Sequence, residues 1–341
     1  MNELNNQDFF DILCSFAASQ DRGVALFGND HLRLSEKIAP FLIGCSFPDI
    51  YLEFPLIGKP FLDATILYND IESGTRISSL AAGDCGALLD WYSEIHQKYK
   101  NISFGFELDT DAPENTQAAI HFQPRKSIEL VEPFCKIIGE EARAKLYLEA
   151  SKKMPDGWLL SFFGIFCGRK NAPLRVCGYI SEKARVVGAK DSMEIKAVFD
   201  KVGFTNYNRL MLEQISKIMS LNYNGIDFQF DIYPDGSFGD TFALDVELRE
   251  KSSVQIHKDF VNGVSAELVD ILKSWNIADE RTSLLQDLGL SRSIKIPNND
   301  GNVAKYAFVL RPDWVKIRWC QCCLQPSKCY CFLNVKNFVE K

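Results

Sequence analysis

Three short patterns hold cations and phenols at even spacing. They are Arg175-x-x-x-Tyr179, Lys316-x-Arg318 and Lys328-x-Tyr330. In an extended strand successive side chains point to opposite faces, so residues at even spacing share one. Three to four cations with hydroxyl donors beside them suit an anion of high charge density, such as a diphosphate. Aromatic residues in the same phase of other segments (Tyr51 in "DIYLEFP", Tyr233 in "IDFQFDIY", Phe332 in "KCYCFLNV") could shield a carbocation and exclude water. A second kind of cluster competes for notice. Five of the eleven cysteines (Cys320, Cys322, Cys323, Cys329, Cys331) crowd into "CQCCLQPSKCYC" near the C-terminus.

The elements that must position these groups repeat. Period-two hydrophobicity marks a hairpin at 49–69, another at 101–123, then 157–181, 225–249 and 314–335. Stretches of helical spacing separate them, with breaks near Gly139, Gly203 and Asn276. The pattern is ββαα five times over, without sequence similarity between units. Ten strands in one sheet must curl or close, and helices inserted between hairpins would coat one face. The expected fold is α+β: a closed antiparallel barrel of ten strands in a ring of helices. Ten strands enclose more space than side chains alone fill, so the lumen should be a chamber.

Alternation then decides what faces it. Apolar positions (Ile50, Leu52 and Phe54; Phe242, Leu244 and Val246) belong under the helices. The opposite phase holds Tyr51, Glu53, His121, Arg175, Tyr179, Gln229, Asp245 and Glu247. In the cysteine segment Lys316, Arg318, Cys320 and Cys322 share a face, as do Lys328, Tyr330 and Phe332, while Cys329 and Cys331 fall with the aliphatic residues. A structural zinc site needs four convergent thiolates or imidazoles. This phase splits the thiols across the sheet, and C-x-C pairs are not the spacing of a zinc ribbon.

Composition narrows the class. The chain has 341 residues, a formal net charge of −7 and 46% hydrophobic residues. An acidic balance argues against a polyanion-binding surface, so no nucleic-acid partner is expected. No apolar run is long enough to span a bilayer. The first residues lack a basic signal region, so free thiols in a reducing cytoplasm are expected. P-loop, GxGxxG and HExxH motifs are absent.

Five ββαα units with inward Lys-x-Tyr pairs, the hairpin "LSFFGIFCGRKNAPLRVCGYI" and the closing "KCYCF" resemble the ABBA, or PT-barrel, aromatic prenyltransferases. The likeness is to cyanobactin-peptide and indole prenyltransferases and covers about residues 45–336. It implies residues 1–44 as an N-terminal helical cap and 45–341 as the barrel domain of a monomer. It implies transfer of a dimethylallyl or geranyl group from its diphosphate to an aromatic acceptor, either an indole metabolite or Trp of a ribosomal peptide. Diphosphate binding falls to His121, Arg175, Tyr179, Lys316, Arg318, Lys328 and Tyr330. Glu53 matches the acidic position that accepts the acceptor's ring N–H. Tyr51, Gln229, Tyr233 and Phe332 are left for cation shielding or the acceptor pocket. Strand two offers Asp63 and Thr65 where an Arg is common. Asp245 and Glu247 would repel a diphosphate unless Mg²⁺ intervenes, as in some bacterial members; no obligatory cofactor is implied. Two rival readings stay open: a non-catalytic barrel for a prenyl or lipid ligand, and a metal-binding protein centred on the cysteines.

Overall fold

The computed structural model describes residues 20–28, 33–34, 36–38, 49–68, 85–110, 117–167, 169, 171–248, 252–288, 290–297 and 303–338. Eight strands make four of the hairpins: β1 Asp49–Pro55 with β2 Asp63–Tyr68, β3 Ser103–Leu108 with β4 Ala119–Gln123, β5 Trp158–Ile165 with β6 Leu174–Ile180, and β7 Ile226–Ile232 with β8 Phe238–Glu247. Then come β9 Leu290–Pro297, β10 Val303–Cys320, β11 Cys323–Leu324 and β12 Lys328–Phe338. The strands β1 to β8 pair in sequence order, β12 pairs with β1 and β10, and β10 pairs with β8. That last pairing shuts the ring. The molecule is a closed ten-stranded antiparallel barrel with helices around it.

Alternation explains the layering. On β7 the burial pattern is strictly two-fold, with Ile226, Phe228, Phe230 and Ile232 buried against the helices. Outside the sheet, helix α1 (Gln20–Phe27) sets Phe27 edge-on to Phe54 of β1. Helix α2 (Cys85–His96) covers β3 and β4, where Trp91 meets Phe122 and Tyr92 meets Phe104. Helices α3 (Val131–Ile137) and α4 (Glu141–Lys153) follow, and Phe134 stacks on Phe122 with centroids 4.2 Å apart. The third linker holds three helices, α5 (Glu182–Lys190), α6 (Ser192–Val202) and α7 (Arg209–Met219); the fourth holds α8 (Ser253–Asn262), α9 (Val264–Ser274) and α10 (Thr282–Leu285). Helix α6 stops at Gly203, whose φ of +90° is the left-handed turn that glycine adopts without strain. Asn208 starts α7, its side chain accepting the Met211 N–H at 2.8 Å.

The expected hairpins and ten-stranded closure match the structure. Three features exceed that reading. Helices α5 and α8 occupy segments the helical-spacing pass left out. Strand β9 continues the line of β8 along β10: β8 pairs with Trp314–Cys320, whereas β9 pairs with Val303–Leu310. The change falls where the β10–β12 register shifts, between Pro312 and Trp314. Proline lacks the N–H of a ladder bond, so the strand can change partner there. Most of the expected cap at 1–44 lies outside the described residues. Among the described residues no helix is long and apolar enough to cross a membrane.

Candidate active site

The lumen holds a belt of charged groups with a compartment on either side. The wide compartment is about 1180 Å³ and the narrow one about 200 Å³; both are bounded by Glu53, Glu107, Arg175, Gln229 and Lys316. The two lie at opposite ends of the barrel. Asp49, Leu67, Tyr179, Asp227, Glu247 and Trp314 mark the wide end. At the narrow end stand Asp109, Arg169, Asp231, Thr241, Arg318 and Lys328.

Register builds the belt. Glu53 of β1 lies opposite Tyr330 of β12, and Lys316 of β10 lies opposite Lys328. Lys328 Nζ sits 2.5 Å from Glu53 Oε1 and 3.9 Å from Asp63 Oδ2. Lys316 Nζ donates to Tyr330 Oη at 2.5 Å and stands 3.9 Å from Asp245 Oδ1. Arg175 Nε donates to Asp231 Oδ1 at 3.2 Å, and its guanidinium covers the Phe166 ring at 4.8 Å. The other face of this cationic corner is Arg169, 2.8 Å from Asp109 and 5.0 Å from the same ring. His121 Nε2 is 2.7 Å from Glu107 Oε2, with its ring over Gly164, where a Cβ would come within 3.1 Å of Cε1.

These contacts set the protonation states. Burial pushes the Glu53 carboxyl up, but the Lys328 and Lys316 charges outweigh it and hold it below its ordinary value. Glu107 is likewise pulled down: burial raises it, and the hydrogen bond and charge of His121 more than reverse that. Tyr330 is pushed well up by burial and by the carboxylates of Glu53 and Asp245, so it stays a phenol. Asp245 rises to about 6 through burial, against the Lys316 charge. Asp63 rises to about 7 through burial and the neighbouring Glu53 charge.

Most expected site residues meet here. Glu53, His121, Arg175, Gln229, Asp245, Lys316 and Tyr330 line the belt or wide compartment, and Lys328 and Arg318 line the narrow one. Tyr179 and Glu247 sit at the wide rim, Tyr179 being 42% exposed. Tyr51 faces the wide compartment and packs on Phe332 at 5.2 Å; Phe332 is 8% exposed behind it, with Arg311 over its ring at 4.7 Å. Tyr233 is a correction. It follows the end of β7 in the turn to β8, its N–H bonded to the Ser237 carbonyl, and it lines neither compartment. The strand ends one residue before Tyr233, so the alternation does not carry to it.

Glu107, Asp227 and Asp231 complete the belt and rim without having been singled out. Their phase along β3 and β7 placed them on the polar face. Arg169 lies between β5 and β6, where no periodicity marks it. The cysteines divide as the phase requires except for Cys322, which follows the end of β10 in a turn with φ of +63°, so strand alternation does not reach it. Cys329 and Cys331 are buried on the outer face with sulfurs 4.0 Å apart, Cys320 is on the inner face, and Cys323 is exposed. Among the described residues no group of three His, Cys, Asp or Glu is placed to hold a metal ion.

No family model matches the sequence, and no curated protein does. Solved structures are similar in fold at low identity. One is 5-dimethylallyltryptophan synthase from Streptomyces coelicolor, at 11% identity over 98% of each chain with a TM-score of 0.49. The same synthase in complex with DMASPP and Trp gives 0.48 over 97% of this chain and 95% of that one, at 11% identity. NotF prenyltransferase gives 0.48 at 12% identity, covering 96% of this chain and 92% of that one. At such identities the roles of residues must come from the chamber itself.

Proposed function

We propose that the protein is an aromatic prenyltransferase that alkylates an indole-bearing acceptor with a dimethylallyl or geranyl group. The observation that carries this reading is the belt of Lys316, Lys328, Arg175 and Tyr330 around Glu53, held inside a barrel between two compartments of unequal size. The narrow side gathers Arg318, Lys328, Arg175 and Arg169, groups suited to a diphosphate. Among the described residues the Arg318 side chain has no hydrogen-bond or ion-pair partner, which leaves it available to an anion. The wide side has the room and the aromatic walls, with Tyr51, Trp314, Phe162 and Tyr147, for a ring and a prenyl chain.

In the reaction the C–O bond of the donor breaks and diphosphate departs with the electron pair. Cations at the narrow side stabilise that charge as it develops. The allyl cation is held between aromatic faces, out of water. A ring carbon attacks, the new C–C bond forms, and the ring loses a proton. Glu53, ionised and 5% exposed, accepts the ring N–H during attack and takes up the proton that leaves. Asp245 accepts from Gln229 at Oδ2, and among the described residues no three His, Cys, Asp or Glu side chains converge on one point. No step here is routed through a metal.

The test is product formation from dimethylallyl or geranyl diphosphate and an indole, in wild type and Glu53→Gln. Turnover should fall by about 10²–10⁴-fold in the variant, the range of one general base, while donor binding measured by thermal shift survives. Donor binding without turnover in wild type, across a panel of aromatic acceptors, would instead support a non-catalytic prenyl-binding barrel.

A further inference from the structure

The narrow compartment contains an aromatic ring that the proposed reaction leaves without a task. Phe166, half-buried, follows the end of β5 and lines that compartment with Arg169 and Arg175. Both guanidiniums lie over its ring, Arg169 at 5.0 Å and Arg175 at 4.8 Å from the centroid. Local structure brings them there by separate routes. The Phe166 carbonyl accepts the Arg169 N–H at 3.4 Å, which folds the chain back, and the Arg169 carbonyl accepts from Ala172 N–H at 3.2 Å. Arg175 stands across the β5–β6 ladder from Gly164, two residues before the ring. Two carboxylates pull these cations apart. Asp109, just past β3, accepts from Arg169 Nη2 at 2.8 Å, and Asp231 of β7 accepts from Arg175 Nε at 3.2 Å. A guanidinium drawn only to its carboxylate would turn its remaining N–H groups along with it. Stacking opposes that, because the ring holds the flat face and leaves open the edge, where the N–H donors lie. The other nitrogens of both guanidiniums have no hydrogen-bond partner among the described residues. Two like charges over one ring also repel, and an anion bordered by both edges removes that cost.

We propose that Phe166 is a positioning residue: it holds Arg169 and Arg175 face-on, so that their free edges serve the two phosphate groups of one diphosphate. The inference rests on the prenyltransferase reading for naming that diphosphate as the donor's. It gives a task to a neutral side chain among the cations, and it accounts for Arg169, which lies outside any strand.

The experiment is calorimetric titration of inorganic pyrophosphate into wild type, Phe166→Leu and Phe166→Tyr, with the Leu substitution repeated in an Arg169→Gln background. Phe166→Leu should weaken pyrophosphate binding about tenfold, equivalent to about 1.4 kcal/mol. Phe166→Tyr keeps the ring and should stay within about twofold of wild type. In the Arg169→Gln background the Leu substitution should cost about threefold or less, since one of the two stacked cations is gone. A Phe166→Leu affinity within about twofold of wild type, even with a lowered urea midpoint, would mean that the ring only packs, and would overturn the proposal. So would an equal loss in Phe166→Tyr, an undiminished loss in the Arg169→Gln background, or no pyrophosphate binding by wild type. Turnover of dimethylallyl diphosphate with aromatic acceptors separates the two readings. Phe166-dependent pyrophosphate binding without turnover would sink the prenyltransferase reading and leave the positioning role standing; turnover with an unchanged Phe166→Leu affinity would do the reverse.

Discussion

Asp63 faces Glu53 across the β1–β2 ladder, and both approach the single ammonium of Lys328. Glu53 holds it at 2.5 Å and stays ionised; Asp63, 3.9 Å away, has its ionisation pushed up to about 7 from an ordinary 3.8. Burial is the first cause and the Glu53 charge the second. Unfolded, the Asp63 carboxyl ionises near pH 4. Between there and pH 7 the unfolded chain has released a proton that the folded chain keeps, so rising pH favours unfolding across that window. Asp63→Asn should therefore stabilise the protein above pH 7, on the order of 2–4 kcal/mol. The Thr110 N–H, which donates to Asp63 Oδ1 at 2.8 Å, would keep its acceptor. Urea midpoints at pH 4 and pH 8 check this: a gain of equal size at both would mean that packing, not ionisation, is responsible. Asp63 and its neighbours were legible in sequence only as polar residues in the inward phase. That phase placed Glu53, Lys316 and Lys328 in the lumen, but not which carboxylate would own which ammonium. Pairing depends on register between strands that are distant in the chain, and a single sequence does not encode that register locally.

The outer layer is more uniform, because it is where apolar area and aromatic stacking accumulate. Phe134 of α3 lies parallel on Phe122 of β4, with an interplanar angle of 6°, and meets Trp91 and Phe163 as well. Phe134→Ala should cost about 3–5 kcal/mol, the range for deleting a buried aromatic ring. Equilibrium denaturation would measure it, and a loss under about 1 kcal/mol would mean that the helix is not docked as described. Strand and hairpin positions were readable because residues such as Phe228 and Phe230 alternate cleanly with Asp227 and Gln229. Helices α5 and α8 were not. "EKARVVGAK" lacks a sustained apolar stripe, and α5 buries Gly188 rather than a large side chain, while the ten-residue "SVQIHKDFVN" is amphipathic but short. Strand β9 and its partner, the first half of β10, lie ahead of the fifth expected hairpin at 314–335, so a search for five equal units passed over both.

At the scale of the molecule, closure depends on the last part of the chain. Both β10 and β12 come after residue 302, and they supply the partners of β8 and β1. Without them the sheet would have two raw edges, and Trp319, fully buried with its indole N–H bonded to Gln214 of α7 at 2.9 Å, would be lost from the helix layer. A chain ending at residue 302 should show no cooperative thermal transition by near-ultraviolet circular dichroism. A sharp transition in that fragment would mean that the first eight strands form a self-sufficient sheet. Closure also leaves two compartments that meet at the belt and differ in size and lining. Space can be added or removed among Leu67, Leu159 and Trp314 at the wide end without touching Arg169 or Arg318 at the narrow one, so room and charge can be adjusted independently within one ring of strands.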